Sequence, residues 1–218
     1  MRRFFTCSRR RLHVNSTEVR REWAERSGAY SPEYYAYHGP DARSESVRGL
    51  LERFVERDAS ILELGCSSGR HLSHLQDGGF CTLSGIDVNE DAFDVMAATY
   101  PDLAAQGTFY LEAFEDVFGE FDDDQFDVVY SVETLQHVHP DSEWLFEDVH
   151  RITSDLLVTV ENEGDRERSA SNDPAVSYVD DEFPLYFRDW NRVFTEVGFV
   201  EVAVSEVPRD TVRAFRPS

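Results

Sequence analysis

The chain reads as an α/β protein built on a doubly wound, mostly parallel sheet, and three observations predict it. Ser60-Ile61-Leu62-Glu63-Leu64 is a short apolar run that passes through Gly65-Cys66-Ser67-Ser68-Gly69 into a helical pattern from Arg70. That is strand, glycine loop, helix, the arrangement that lays a nucleotide-like ligand across the carboxyl end of a parallel sheet. A second strand-like run, residues 81–86, ends in Asp87, 22 positions after Gly65. At about that spacing such folds set a carboxylate against ribose hydroxyls. Strand-like and helix-like segments then alternate to a closing pair of strands, as a parallel sheet requires.

The elements follow in order. Residues 17–40 read as helical and end in Tyr34-Tyr35-Ala36-Tyr37-His38-Gly39-Pro40. Val47, Leu50, Leu51 and Phe54 repeat at i, i+3, i+4 and i+7, an amphipathic helix before the first strand. Leu72 and Leu75 continue the helix after the glycine loop until Gly78-Gly79 stops it. Phe93, Met96, Ala97 and Tyr100 mark the next helix, begun at Asn89 or Asp91 and ended by Pro101. Residues 108–111 and 126–132 read as the third and fourth strands, the latter buried. Leu145, Val149 and Ile152 face inward on a helix from near Asp141, and 156–160 is a fifth strand. Residues 161–182 read as a long polar loop, and loops of that length are usually functional or mobile. Phe187, Trp190, Phe194 and Val197 give a last helix stopped by Gly198; strands 199–204 and 211–215 meet at Pro208-Arg209-Asp210.

Glu63-Leu64-Gly65-Cys66-Ser67-Ser68-Gly69, Gly85-Ile86-Asp87-Val88-Asn89 and Phe126-Asp127-Val128-Val129-Tyr130-Ser131-Val132, in that order, carry a resemblance. From about residue 44 to the C-terminus the chain resembles the class I S-adenosylmethionine (SAM)-dependent methyltransferases. The resemblance implies a Rossmann-like sheet of seven strands with a C-terminal antiparallel hairpin, and SAM as cofactor. The chain then divides into a basic tail at 1–16, a helical cap or lid at 17–43, and the methyltransferase domain at 44–218. One departure stands in the loop, where Ser67 occupies the family's usual middle glycine.

The same resemblance assigns roles. Asp87 accepts from the ribose hydroxyls, while Glu63 takes the ligand's ammonium or braces the loop amides. Backbone at Gly65, Cys66, Ser67 and Gly69 carries the methionine portion and ribose, and Val88 and Asn89 flank the adenine. Ala113 and Phe114 stand where the family contacts the adenine ring, with Glu112 or Glu115 as substitute acids; Phe114 serves equally as core. Ser131 and Val132 line the sulfonium. His137 is a candidate base, against a plain packing role. Tyr34, Tyr35, Tyr37 and His38 could orient an acceptor, Tyr35 and His38 being the candidates for chemistry, against a surface turn packed on the domain. A non-catalytic SAM-binding regulator and a nicotinamide-dependent dehydrogenase remain as alternatives. The loop lacks the second and third glycines of the dehydrogenase pattern, with Ser67 and Arg70 in their places.

Composition bounds the partners. No apolar run approaches a membrane span. Cys7, Cys66 and Cys81 form no disulfide framework, which fits a reducing cytoplasm. The histidine pairs 71/74 and 137/139 lack the converging ligands of a metal site, so no metal is expected. The formal net charge is −22, all 21 basic residues are arginine, and the first 16 residues hold five of them and no acid. Such acidity disfavours nucleic acid, whose phosphates need a basic face. It points instead to a halophile protein, with surface carboxylates hydrated and their repulsion screened by concentrated salt, which weakens any inference from charge to partner; the expected partner is a small-molecule substrate, with no nucleic acid. The melting temperature is therefore expected to rise steeply from dilute buffer to molar KCl, followed by circular dichroism; a salt-independent value contradicts the halophile reading.

Overall fold

The computed structural model describes residues 15–164, 175–179 and 183–218. Five strands are parallel: β1 (Ser60–Leu64), β2 (Thr82–Asp87), β3 (Thr108–Leu111), β4 (Phe126–Val132) and β5 (Thr153–Glu161). A separate two-stranded hairpin follows, β6 (Ala175–Val179) against β7 (Phe183–Phe187). β8 (Phe199–Val207) and β9 (Asp210–Pro217) then close the main sheet antiparallel, giving seven strands in the order β3-β2-β1-β4-β5-β9-β8.

The helices lie on both faces because the central strands β1, β4 and β5 bury apolar residues on both sides. Ile61 and Leu62, neighbours on β1, are both fully buried yet belong to different cores. The Ile61 side is covered by α3 (Ala42–Phe54), α4 (Arg70–Asp77), α5 (Glu90–Thr99) and α6 (Pro101–Gln106), through Val47, Leu51, Leu72, Met96 and Leu103. The Leu62 side is covered by α7 (Phe114–Val117), α8 (Leu145–Ile152) and α9 (Trp190–Glu196), through Val117, Val149 and Phe194. Before them come α1 (Ser16–Ala24) and α2 (Pro32–His38), which line the site described below. Helix starts follow local chemistry: Asn15 and Asp41 each form a capping box, and Ser31, Asn89 and Asp189 each accept a first-turn amide.

Several expectations need correction. Residues 17–40 are two helices, not one stretch, because the chain turns through Gly28 (φ 77) and Tyr30 (φ 63). Pro101 begins α6 instead of merely ending α5, its fixed φ suiting a first helical position. The helix expected near Asp141 starts at Leu145, preceded by a 3-10 turn at Pro140–Ser142. Residues 175–179 form β6 inside the expected loop, and Phe187 ends β7 instead of starting the last helix. The basic tail lies outside the described residues except Asn15 and Ser16, as do 165–174 and 180–182 of the loop. No described helix is long and apolar enough to cross a membrane.

Trp190 is fully buried, edge-on to Phe146 at 5.5 Å and stacked on Phe194 at 5.8 Å. Trp190→Ala should cost about 3–5 kcal/mol by lost burial and a residual cavity, read by denaturant unfolding; a loss below about 1 kcal/mol contradicts its place in the core.

Candidate active site

The chain leaves β1 toward β2 on one side, while β4 pairs with β1 on the other. Ligands of open α/β sheets bind in the crevice at such a switch point, beyond the carboxyl ends of the strands. The glycine loop turns there through Gly65 (φ 71), Ser67 (φ 47) and Gly69 (φ 78). A Cβ on Gly65 would fall on the Thr134 side chain, and one on Gly69 would stand 2.8 Å from Leu103 and 2.9 Å from Met96. Ser67 thus takes the left-handed conformation that glycine adopts freely. Its amide donates to Asp87 Oδ2 at 2.8 Å, which holds it there.

Asp87 Oδ1 accepts the Asn89 amide, also at 2.8 Å. Burial raises the Asp87 carboxyl above its ordinary range, with the amides of Asn89 and Ser67 pulling the other way. The Asn89 side chain is already committed: its oxygen caps α5, and its Nδ2 donates to the carbonyls of Trp23 and Arg26 at 3.2 Å each. Glu63 lies buried on β1 opposite Tyr130, whose hydroxyl favours the ionised carboxylate. Burial pushes its carboxyl well up.

A cavity opens over these turns. Its walls include Gly65, Cys66 and Ser67 after β1, Asp87, Val88 and Asn89 after β2, Ala113 and Phe114 after β3, and Val132 after β4. Glu63, Gly69 and Ser131 are not in this wall. Gly69 is the N-cap of α4, and the fully buried Ser131 hydroxyl donates to Glu161 Oε1 at 2.5 Å. A second cavity adjoins the first, and Trp23, Tyr30, Tyr35, Arg70, Glu133 and His137 border both. Tyr34 and His38 face the second only; Tyr37, 87% exposed, faces neither. Tyr30 (φ 63), Ser67 and Glu133 (φ 51) all line the first cavity, and strained backbone of this kind gathers at functional sites.

His137 packs against Trp23, ring centroids 4.8 Å apart, and its Nδ1 lies 2.8 Å from the Pro184 carbonyl oxygen, to which it donates. Burial pulls its pKa down to about 4, partly offset by that bond. Glu161, at the end of β5, accepts from Ser131 and from the amides of Thr134, Leu135 and Gln136, bracing the turn that carries Glu133 and His137. Burial pushes its carboxyl up to about 8. The other histidines have separate tasks. His71 Nδ1 bonds the Ser44 hydroxyl, His74 lies 3.3 Å from Glu45, and His139 accepts the Asp141 amide. Among the described residues no group of three or more His, Cys, Asp or Glu could hold a metal.

Residues 61–155 match the family described as methyltransferase domain. No curated protein sequence matches the chain. Among solved structures, the SAM-bound magnesium protoporphyrin IX methyltransferase of Synechocystis PCC 6803 superposes with a TM-score of 0.68 at 13% identity, covering 93% of this chain and 97% of that one. The 1,6-didemethyltoxoflavin-N1-methyltransferase of Burkholderia thailandensis, holding its namesake and S-adenosylhomocysteine, gives 0.65 at 17%, covering 81% and 79%. A SAM-dependent methyltransferase from Mesorhizobium loti gives 0.62 at 17%, covering 81% and 99%. Residues 61–155 thus match a methyltransferase domain, and the chain has the fold of these SAM-dependent methyltransferases.

The sequence motifs give no site role to Trp23, Arg70, Glu133 or Glu161. Glu161 had a readable signal, an acid closing a buried strand as Asp87 does. Trp23 and Arg70 reach the cavity only through tertiary packing.

The depressed His137 pKa sets a pH dependence. The folded protein holds this ring neutral down to about pH 4, while the unfolded chain protonates it near 6.5. Its contribution to stability is therefore present above about pH 6.5 and is lost as pH falls toward 4. The stability gap between wild type and His137→Gln should be widest at pH 7 and shrink toward pH 4 in urea titrations; a gap constant over that window contradicts the buried neutral ring.

Proposed function

We propose that this protein is a class I SAM-dependent methyltransferase that moves the methyl group of SAM to a small-molecule acceptor held in the second cavity, in the cytoplasm of a cell with a salt-rich interior. The observation that carries the reading is the pair of adjoining cavities: one lies over the glycine loop and Asp87, the other beyond a shared wall of Trp23, Tyr30, Tyr35, Arg70, Glu133 and His137.

The first cavity suits the cofactor part by part. Asp87 has both oxygens fixed by amides, and each keeps a lone pair for a ribose hydroxyl. Val88, Ala113 and Phe114 offer apolar contact for adenine, and the backbone of Gly65, Cys66 and Ser67 leaves room beside it. Glu133 stands where the two cavities meet, next in sequence to Val132 in the wall of the first. Bound SAM supplies a methyl group already activated by its sulfonium. What the protein adds is placement, since aligning the reacting atoms supplies much of the rate. Tyr35 fits an orienting role, because burial and the nearby Glu133 charge keep its hydroxyl protonated. His137 has one nitrogen tied to Pro184 and is a weak base, so it holds the wall more than it moves protons. His38 is exposed at the second cavity. Residues 17–43 act as a cap over both cavities, and Ser131, Glu63 and Gly69 support the site from beneath. A small-molecule acceptor is further supported by the names of two superposing enzymes, which specify a toxoflavin precursor and a porphyrin.

S-Adenosylhomocysteine titrated by calorimetry in molar KCl tests the reading. Asp87→Ala should lose hydrogen bonds to a charged acceptor, about 1.5–3 kcal/mol and so about ten- to a hundredfold in affinity, with the far-ultraviolet dichroism of the folded chain retained. Unchanged affinity would remove Asp87 from the ribose site.

A further inference from the structure

We propose that the methyl acceptor is a planar aromatic carboxylate and that Arg209 takes its negative charge. The proposal rests on the second cavity being the acceptor site. That cavity, about 570 Å3, has flat walls from Tyr34, Tyr35, Tyr178 and Phe187. Aromatic faces of this kind prefer offset or edge contacts with another ring, so they favour a planar guest.

The charged wall decides the guest's polarity. In a chain of formal charge −22, three arginines, Arg43, Arg70 and Arg209, line this one cavity. The acids beside them are already engaged. Asp41 Oδ1 accepts the amides of Arg43 and Ser44, and its Oδ2 lies 3.2 Å from Arg43 and 3.4 Å from Arg70. Glu133 Oε1 takes guanidinium nitrogens of both Arg43, at 3.3 Å, and Arg209, at 3.1 Å. Asp210, its side chain wholly buried, is paired to Arg43 at 2.6 Å. Among the residues lining this cavity the three guanidinium groups outnumber the two acids, Asp41 and Glu133, so the wall favours an anion over a cation. An anionic guest needs only spare donors, and Arg209 has them. Its Nη2 bonds Glu133, its Nε and Nη1 bond nothing among the described residues, and its side chain is 69% exposed. A guanidinium with donors to spare is well matched to a carboxylate.

The backbone adds an independent observation. Arg209 sits at φ 76 in the turn between β8 and β9, a conformation that favours glycine. Strain kept at a residue facing a cavity points to a side chain retained for use.

The test uses two probes with the same rings and different charge, 2-naphthoate and 2-naphthalenemethanol. Each is titrated by calorimetry into S-adenosylhomocysteine-saturated protein at one KCl concentration. The naphthoate should bind at least about tenfold tighter, as expected for one charge-assisted pair. Arg209→Gln should reduce that preference to below about twofold while S-adenosylhomocysteine affinity stays unchanged, and Arg209→Lys should keep part of it. Arg209→Gly should abolish the preference and raise the melting temperature, because the left-handed strain is relieved. Equal binding of the two probes, binding of neither, or a preference that survives Arg209→Gln overturns the proposal. A wild-type chain that does not bind S-adenosylhomocysteine overturns the cofactor reading beneath it, so the two failures are told apart.

Discussion

The Asp87 carboxylate spans the turns after β1 and β2, accepting the Ser67 amide on one oxygen and the Asn89 amide on the other. Much of the site hangs from this bridge. A non-glycine residue in the left-handed region costs about 1–2 kcal/mol, and a hydrogen bond to a charged acceptor contributes about 1.5–3 kcal/mol. The bridge therefore outweighs the strain at Ser67, and the loop keeps its open shape without the middle glycine. Asn89, set in place by the same carboxylate, starts α5 and catches the carbonyls of Trp23 and Arg26. The N-terminal segment is thereby tied to the end of β2.

A second set of contacts closes the other side. Arg43 on α3 reaches Asp41, Asp210 and Glu133, joining the start of that helix to the β8–β9 turn and to the turn after β4. Arg70 adds the start of α4 through Asp41 and the Gly39 carbonyl. These pairs are mostly sheltered, so salt screens them less than the exposed carboxylates that dominate the net charge. Concentrated salt can then relieve the repulsion at the surface while leaving the site's own ion pairs largely intact. Burial raises Asp210 to about 6, against the pull of Arg43.

Elements and topology were legible where periodicity was long and both faces were buried. β1, β2, β3 and β4 lie where their apolar runs and terminal acid place them, and the closing hairpin follows its turn at Pro208-Arg209-Asp210. The β6–β7 hairpin was not legible, because Ala175-Val176-Ser177-Tyr178-Val179 follows a polar stretch that reads as loop. Phe187 fitted the spacing of the last helix by coincidence, and Pro101 carries the same signature as a stop or as a first helical residue. In the site, turn residues next in sequence to strand ends could be read, whereas side-chain direction could not. Ser131 turns toward Glu161 and Asn89 toward the carbonyls of Trp23 and Arg26 because buried polar groups must find partners.

The central claim is that the cavity over the glycine loop holds the methyl donor against Asp87. A crystal structure of the protein grown with S-adenosylhomocysteine tests it most directly. The account predicts the ribose hydroxyls within hydrogen-bonding distance of the Asp87 carboxylate, adenine between Val88 and Phe114, and the thioether sulfur at the wall shared with the second cavity. Density for the nucleoside elsewhere on the chain, or ribose hydroxyls bonded to residues other than Asp87, would contradict it.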